Sequence, residues 1–384
     1  MAKREREHRL PSDDYLHGGG GKGGGGKAAL GKLLWTGAAL AAAAVTNAVI
    51  FYRTPPLTSK LKGEVRYFPT PEGDVFYKKA GEGPPLLLVH GIGAGCSSFE
   101  FRNIWDHLAE RHTVYALDLL GFGKSDKPPI LYTDATFIDL LSDFAKQVMG
   151  VGEGRGEADV IATSLSAAYV IALSQRDPSL FHRLILVCPT GIQELASPIH
   201  VGSTALRGVM KAPVLGTSLY NVIASRVGIR RYLATNIYAD PSQVTDEVVN
   251  TYYTAAHQPG GENVLPSFLS GYLNINIADA FKEVVDLPLI VWGAKAKETP
   301  LTQAEPFLAA NSNAKLEVIE DAGMLPHEEK PEAFLTAVRP FLYGAPEGDE
   351  EEGAAEDTAV GGDDKPERPG GKKAAAEPAQ ATTP

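Results

Sequence analysis

The most constraining feature of this sequence is the alternation of short apolar runs with longer helical segments between residues 65 and 343. The run "PLLLVHG", Pro85 to Gly91, is continuously apolar, which is typical of a strand buried on both faces of a parallel sheet. Five similar runs follow, and helical patterns such as those at 98–110 and 137–149 separate them. The pattern predicts a doubly wound α/β sheet with its strand-end loops on one edge.

Two segments depart from this alternation. "EVRYF" and "DVFYKKAG" alternate apolar and polar residues across "PTPEG", which predicts an opening antiparallel hairpin and a mostly parallel sheet of eight strands in total. Residues 192–286 carry helical patterns and no convincing strand, so we expect a helical cap inserted over the strand-end edge. The cap would divide the core into residues 61–191 and 287–344.

Both ends of the chain have compositions that cannot bury a core. Residues 1–32 include "GGGGKGGGGK", and residues 345–384 are rich in Glu, Asp, Gly, Pro and Ala, so we expect both to be flexible or disordered. The tail carries 11 acidic and 4 basic residues and so supplies most of the formal net charge of −11. The rest of the chain shows no basic face, which argues against a nucleic-acid partner.

The segment "LLWTGAALAAAAVTNAVIFY", residues 33–52, is uncharged and long enough to span a bilayer as a helix. Trp35 and Tyr52 stand where interfacial aromatic residues are expected. We predict a single-pass membrane protein that contacts the lipid bilayer through this segment. A cleaved signal peptide and a soluble helix remain alternatives. The basic head weakly favours a cytoplasmic N-terminus, which would place the globular domain outside the cytoplasm. The orientation in the membrane is otherwise undetermined by the sequence.

The junction "VIATSLSAAYVIA", Val160 to Ala172, marks a candidate catalytic serine. A strand runs directly into a helix at Ser164, and the small residues Ala162 and Ser166 permit a tight, strained turn that presents the hydroxyl above the sheet. The same turn would point the N–H of Leu165 at an oxyanion. A serine at a helix start is also a common capping residue, so the position of this junction in the strand order matters.

A glycine-rich loop, "HGIGAGC", follows the buried strand that ends near His90. Such a loop can supply a second oxyanion donor, here the backbone N–H of Ile92. A dinucleotide site is the alternative. Such a site requires a strand, a glycine loop, a helix and a second strand that ends near an acidic residue, and here that order ends at Asp118. However, Cys96 occupies the place of the third glycine in the G-x-G-x-x-G fingerprint.

With "VHGIGAG", "YALDLLGFGKSDKP", "ATSLSAA", "PLIVWG" and "AGMLPHEEKPEAF" in this order, the chain resembles the α/β-hydrolases that carry an inserted cap. The resemblance spans Val65 to Tyr343. It implies a serine nucleophile at Ser164 and an oxyanion hole from Ile92 and Leu165. It also implies that His90 and Asp118 shape loops rather than act in catalysis.

The resemblance fails at the two remaining members of the catalytic triad. In "VWGAKAKETP", the position where the family usually has its acid is Ala296, and in "AGMLPHEEKP" the position of the base is Met324. A serine hydroxyl is a weak nucleophile without a base within hydrogen-bond reach, and a thioether is no base. Glu298, two residues after Ala296, is one candidate acid. Glu194 is the other, because it follows the sixth strand, where some members of the family carry their acid.

Three histidines are candidates for the missing base. His327 lies three residues after Met324, and His200 and His257 lie in the predicted cap, from which they could reach down over the pocket. A surface or capping role is the simpler interpretation of His327. Without any base, an oxyanion hole and substrate binding still leave a residual rate, on the order of a thousandfold above that in water.

Three functions are therefore open. The chain is a membrane-anchored serine hydrolase, esterase- or lipase-like, with a non-standard or missing proton relay; a degenerate relative that binds a small apolar ligand or scaffolds a partner; or an enzyme for a different reaction that needs no histidine. No metal-ligand spacing is present and we expect no cofactor. Cys96 and Cys188 stand in apolar contexts and form no disulfide framework.

Overall fold

Eight short apolar segments form one sheet. The structure, a computed structural model, describes residues 25–197, 199–284 and 288–344. The strands are β1 (Glu64–Thr70), β2 (Gly73–Ala80), β3 (Pro85–Val89), β4 (Thr113–Leu117), β5 (Ala158–Thr163), β6 (Phe181–Val187), β7 (Leu289–Gly293) and β8 (Lys315–Ile319). Their order is β1-β2-β4-β3-β5-β6-β7-β8, with β1–β2 and β2–β4 antiparallel and every other pair parallel. The predicted hairpin and mostly parallel eight-stranded sheet are confirmed.

The strand order reverses direction at β3. The chain leaves β3 for β4 on one side and returns to β5 on the other, so β3 and β5 are neighbours whose following loops diverge. In open α/β sheets, ligands bind at the carboxyl ends of the strands beside such a reversal. This topology brings the glycine loop after β3 next to the serine after β5.

Helices cover both faces of the sheet. Those outside the cap are α1 (Gly25–Arg53), α2 (Trp105–Ala109), α3 (Asp134–Phe144), α4 (Leu165–Arg176), α11 (Ala304–Ala310), α12 (Pro326–Glu329) and α13 (Pro331–Tyr343). Successive strand residues alternate between the two layers: Leu87 and Val89 pack in the layer that includes α3 and α4, whereas Leu86 and Leu88 pack in the layer that includes α2 and α13. Burial on both faces explains why the strand sequences are continuously apolar.

All the regular secondary structure among the described residues between β6 and β7 is helical. Its α-helices are α5 (Val201–Met210), α6 (Leu215–Ile223), α7 (Arg226–Tyr232), α8 (Asp246–Ala256), α9 (Leu265–Leu269) and α10 (Ala278–Glu283). No strand occurs among the described residues of this segment, in agreement with the expected cap.

The N-terminal helix is longer than the sequence predicts. It begins at Gly25 rather than near residue 33, because Lys27, Ala28 and Leu30 are strong helix formers that extend it into the predicted flexible head. Residues 1–24 and 345–384 of the predicted disordered ends lie outside the described residues. Within the described chain, Trp35–Arg53 is the stretch long and apolar enough to cross a membrane, with mean hydropathy 1.4, although a signal sequence meets the same criteria.

The helix expected over residues 98–110 is interrupted. The structure has a 3₁₀ turn at Ser98–Phe101 and then the short helix α2. Ser97 caps the turn by accepting the Phe99 N–H, and the Asp118 carboxylate accepts the Ser98 N–H at 2.7 Å. These two polar side chains stabilise a tight turn where the apolar pattern alone indicated a continuous helix.

A buried ionic network joins three segments that are distant in sequence. The Glu328 carboxylate is nearly inaccessible, contacts Arg102 Nη1 at 2.6 Å and accepts a hydrogen bond from the Tyr238 hydroxyl of the cap. Asn103 Nδ2 also donates to the Glu328 carbonyl at 2.8 Å. The network therefore connects the turn after β3, the cap and α12.

We predict that R102A lowers the free energy of unfolding by about 3–5 kcal/mol, because it leaves the Glu328 carboxylate buried without its counter-charge. Urea unfolding followed by circular dichroism measures the change. The double variant R102A/E328Q should recover part of the loss, since a neutral amide needs no counter-charge. R66A, which removes an exposed pair with Glu64, is the control and should have no measurable effect. Equal stability of R102A and R66A would contradict the assignment.

Candidate active site

Ser164 alone connects β5 to α4. Its backbone has φ 55° and ψ −123°, a left-handed conformation that is strained for a residue with a side chain. The Ser164 N–H donates to Val187 O at 2.9 Å, and the Ser166 hydroxyl donates to His90 O at 2.6 Å. Ala162 and Ser166 are fully buried, so larger residues there would disturb the turn. The sequence prediction of a tight turn at this serine matches the observed geometry.

Ser164 lines a cavity of about 420 Å³ between the sheet edge and the cap. Most of its wall is apolar, and the wall is formed by both the core and the cap. Ile229, Leu233 and Phe268 belong to the cap. Ile92 of the glycine loop is also on the wall, and Leu165 directly follows Ser164 at the first position of α4. The two predicted oxyanion donors therefore belong to segments that meet beside Ser164.

The glycine loop has little room for side chains. Gly95 has φ 85°, and a Cβ there would lie 2.3 Å from Tyr252 O of the cap. Only glycine fits such a close backbone approach. His90 and Asp118 fasten the neighbouring loops: His90 Nε2 accepts the Leu119 N–H at 3.0 Å, and Asp118 accepts the Lys124 N–H at 2.7 Å.

Met324, where the resemblance leads one to expect the base, lines the cavity with 4% of its surface exposed. Its N–H donates to Ile237 O at 2.8 Å, and the Thr299 hydroxyl donates to its sulfur at 2.8 Å. Ala296, where the resemblance leads one to expect the acid, is buried in the same core cluster. A thioether that already accepts a hydrogen bond offers no proton acceptor to Ser164.

The two candidate acids lie in different places. Glu298 is on the cavity wall and accepts a hydrogen bond from the Tyr232 hydroxyl at 2.6 Å. Glu194 is exposed, accepts a hydrogen bond from Gln303 Nε2 at 3.2 Å and is outside the set of residues that line the cavity. The structure therefore brings Glu298, but not Glu194, to the site.

His327 does not reach the cavity. Its ring is fully buried, stacked on Phe101 at 5.3 Å between centroids and packed against Phe334 at 5.7 Å. Burial, assisted by the nearby Arg102 charge, lowers the pKa of His327 to about 3, so the ring is neutral. The hypothesis of His327 as a direct substitute base is corrected, because the start of α12 directs the ring into the apolar layer.

The cap histidines also lie outside the cavity wall. His257 packs against Tyr253 and Phe51, its Nδ1 lies 2.9 Å from Tyr253 O, and burial lowers its pKa. His200 is exposed at the start of α5. Neither histidine lines the cavity that contains Ser164.

Glu100 is the titratable group that the sequence interpretation missed. It lines the cavity with 2% of its surface exposed, and its carboxyl oxygens accept the Gly91 N–H at 3.2 and 3.3 Å. A Cβ built on Gly91 would lie 3.9 Å from both Glu100 Oε2 and Ser164 Cβ, so the carboxyl and the serine flank the same backbone position. The available signal was a lone acid between two phenylalanines in "SSFEFR".

Burial raises the pKa of Glu100 to about 8, although the Thr163 side chain and the Gly91 N–H oppose the shift. On its other side, Glu100 Oε1 lies 3.7 Å from His327 Nε2. Glu100 therefore separates the buried imidazole from the cavity. In the described part of the chain, no cluster of three His, Cys, Asp or Glu side chains could hold a metal ion, and Cys96 and Cys188 are both free.

Comparison with known proteins decides the family. The model of the alpha/beta hydrolase family matches residues 86–337 of the 384-residue chain. The chain belongs to the α/β-hydrolase family. The turn at Ser164, the glycine loop and the cap of this α/β-hydrolase lie within the matched residues.

Among its relatives are two bacterial hydrolases. A 2-hydroxy-6-oxo-6-(2'-aminophenyl)hexa-2,4-dienoic acid hydrolase of Metapseudomonas resinovorans is 28% identical over 271 residues, covering 69% of this chain and 86% of the relative. A 2-hydroxymuconate semialdehyde hydrolase of a Pseudomonas species is 28% identical over 276 residues, covering 69% and 89%.

Solved structures show the same fold. A serine hydrolase involved in carbazole degradation superposes with TM-score 0.60 at 24% identity, covering 73% of this α/β-hydrolase and 99% of that chain. A membrane phospholipase A superposes with TM-score 0.57 at 19% identity, covering 83% and 98%.

We predict that S164G raises the free energy of unfolding by about 1 kcal/mol relative to S164A, because glycine relieves the strained backbone of this α/β-hydrolase whereas alanine keeps a Cβ. Both variants lack the hydroxyl, so the comparison isolates the backbone. Thermal and urea unfolding measure the difference. A glycine variant less stable than the alanine variant would show that the turn is not strained.

Proposed function

We propose that this α/β-hydrolase is a serine hydrolase, anchored to a membrane through residues 33–52, that cleaves apolar esters or other acyl substrates with Glu100 in place of the missing histidine. One observation supports this proposal above the others. The strained Ser164 and the buried Glu100 carboxyl flank Gly91 on the wall of one covered apolar cavity. A carboxylate beside a serine is a candidate for the base that nucleophilic catalysis requires.

In the proposed reaction, Glu100 accepts and returns each proton that is transferred. Ser164 Oγ attacks the acyl carbon while the ionised Glu100 accepts the serine proton. The backbone N–H groups of Ile92 and Leu165 stabilise the oxyanion. Glu100 then returns the proton to the departing alkoxide as its bond to the acyl carbon breaks. Water then attacks the acyl-serine while Glu100 accepts a proton from it. The bond between the acyl carbon and Ser164 Oγ breaks, Glu100 returns the proton to Oγ, and the acid leaves.

The lining of the cavity favours a neutral apolar substrate. Among the described residues that line it there is no Lys, Arg or His, while Glu100 and Glu298 are both present. The relatives named above act on a dienoic acid or a muconate derivative. A carboxylate substrate would face two acidic side chains and no cation here, so we assign this chain a different, uncharged acyl substrate.

A second function is favoured by the Met324 site. The Thr299 hydroxyl donates to the Met324 sulfur, so the place of the base is filled and hydrogen-bonded rather than vacant. Under this alternative the chain is a degenerate hydrolase that binds a small apolar ligand or scaffolds a partner without turnover.

A fluorophosphonate probe tests the proposed function directly. We expect it to label the native chain at Ser164 and not S164A. Glu100 accepts a proton only when ionised, and its pKa is about 8. The labelling rate should therefore rise about tenfold per pH unit below pH 8 and level off above it. E100Q should label at least about 100-fold more slowly, without this pH dependence.

E153Q is the matched control, because Glu153 is exposed in the loop before β5, and its labelling should equal that of the native chain. Circular dichroism confirms that each variant folds. A folded native chain that the probe does not label would contradict the hydrolase proposal and favour ligand binding.

Restoring the usual triad residues gives a second test. We predict that M324H/A296D increases hydrolysis of a neutral p-nitrophenyl ester at pH 7 by about tenfold or more, because an imidazole titrates near pH 6.5 whereas Glu100 titrates near 8. The midpoint of the pH profile should fall accordingly, and adding E100Q to this variant should cost little. Activity that appears only in M324H/A296D, with none in the native chain, would establish that the native protein lacks a relay.

A further inference from the structure

The cap exposes an apolar surface that the fold leaves without a protein partner. Val209 of α5, Val222 of α6 and Val227 of α7 are 62%, 68% and 79% exposed. Further exposed apolar side chains on the same helices are Leu206, Leu215, Leu219 and Ile223. We call the exposed side of α5, α6 and α7 the cap face. Exposed apolar patches of this kind mark interaction sites in soluble domains.

The cap face adjoins the N-terminal helix. Asn47 of α1 is buried, its Nδ2 donates to Val214 O at 3.1 Å and to Ser218 Oγ at 3.0 Å, and Asn221 Nδ2 donates to its Oδ1 at 2.8 Å. Phe51 packs on Tyr220 of α6 with 6.4 Å between ring centroids. The last two turns of α1 are thus attached to α6.

The part of α1 that precedes Asn47 is largely exposed. Every residue from Trp35 to Ala42 is exposed, although this stretch belongs to the helix that is apolar enough to cross a membrane. If that helix enters a bilayer, α6 lies at the point of entry. The exposed residues of α6 would then be held at the membrane surface.

Charge favours the same partner. Residues 195–239, which include all three helices of the cap face, contain five Lys or Arg residues and no Asp or Glu. Arg230 pairs with Asp246 of α8, whereas Arg231 of α7 is exposed. Basic residues around an apolar helical surface are typical of segments that lie in the headgroup layer of anionic membranes.

The cavity also reaches this surface. Ile223, Tyr232 and Leu269 line the cavity and are at the same time exposed, and Ile223 belongs to α6 of the cap face. An apolar molecule could therefore pass from the cap face to Ser164 along an apolar wall.

We propose that the cap face lies in the interfacial layer of an anionic bilayer, so that the cavity takes acyl chains of membrane lipids directly from the bilayer. The inference rests on the proposed membrane anchor and deepens it, because it names the partner of the cap and the source of the substrate. The exposed valines would contact the acyl boundary, and the exposed Arg231 would contact the phosphate groups.

Site-specific fluorescence on the full chain tests the inference. An environment-sensitive dye is attached at V222C, or at the control position E153C, in a chain carrying C96S; Cys188 is fully buried and stays. Glu153 precedes β5, at the edge of the sheet opposite the cap. The chains are reconstituted into vesicles of phosphatidylcholine and phosphatidylglycerol. We expect a blue shift at 222 and about threefold stronger quenching by nitroxide-labelled lipid than at 153.

Flotation of the same vesicles separates the two hypotheses. A chain that floats while the dye at 222 stays as water-exposed as the dye at 153 overturns the inference and leaves the anchor intact. A chain that does not float overturns both. A dye at 222 that is shielded only at high protein concentration, without quenching by lipid nitroxide, shows that a second copy covers the cap face and also overturns the inference.

Discussion

The single-residue connection between β5 and α4 is the constraint on which the rest of the site depends. No loop separates the strand from the helix, so Ser164 takes a left-handed conformation that the neighbouring strands must hold. Val187 at the end of β6 accepts its N–H, and His90, directly after β3, accepts the Ser166 hydroxyl. Because the strand order reverses between β4 and β5, the loop after β3 has space to turn over the serine. The Gly91 backbone, and with it the carboxyl of Glu100, is thereby placed beside Ser164.

Features encoded in local patterns were predictable from the sequence. The buried strands are continuous apolar runs in the sequence, and the residues expected at the acid and base positions, Ala296 and Met324, stand in the segments that follow β7 and β8. Glu100 was missed for a physical reason. An apolar pattern predicted a continuous helix over residues 98–110, whereas the cap of Ser97 and the Asp118 carboxylate stabilise a 3₁₀ turn in which Glu100 is buried against the cavity. The environment of His327 was also not predictable from the sequence, because its ring packs on Phe101, which is more than 200 residues away in the chain.

A buried carboxyl is a costly base. Its pKa is about 8 in the folded chain and 4.5 for the ordinary group, so the folded state retains a proton that the unfolded state releases. Between these two pH values, the contribution of Glu100 to stability falls as pH rises. Ionisation of Glu100 thus works against the fold, and the Gly91 N–H and the Thr163 side chain only partly offset the desolvation. In the proposed mechanism, a small ionised fraction near neutral pH makes the enzyme slow compared with one that uses an imidazole.

The proposed position of the cap provides a physical reason why a slow base would suffice. Acyl lipids in a bilayer are concentrated far beyond their solubility in water, so a cavity that opened to the bilayer would stay occupied and its rate would be set by the chemical step alone. The arrangement is mechanically continuous: Asn47 fastens α1 to α6, and Ile223 at the end of α6 lines the cavity that contains Ser164. In the proposed arrangement, a displacement of α1 relative to the bilayer would move a wall of the cavity and would couple access to Ser164 to the proposed membrane contact.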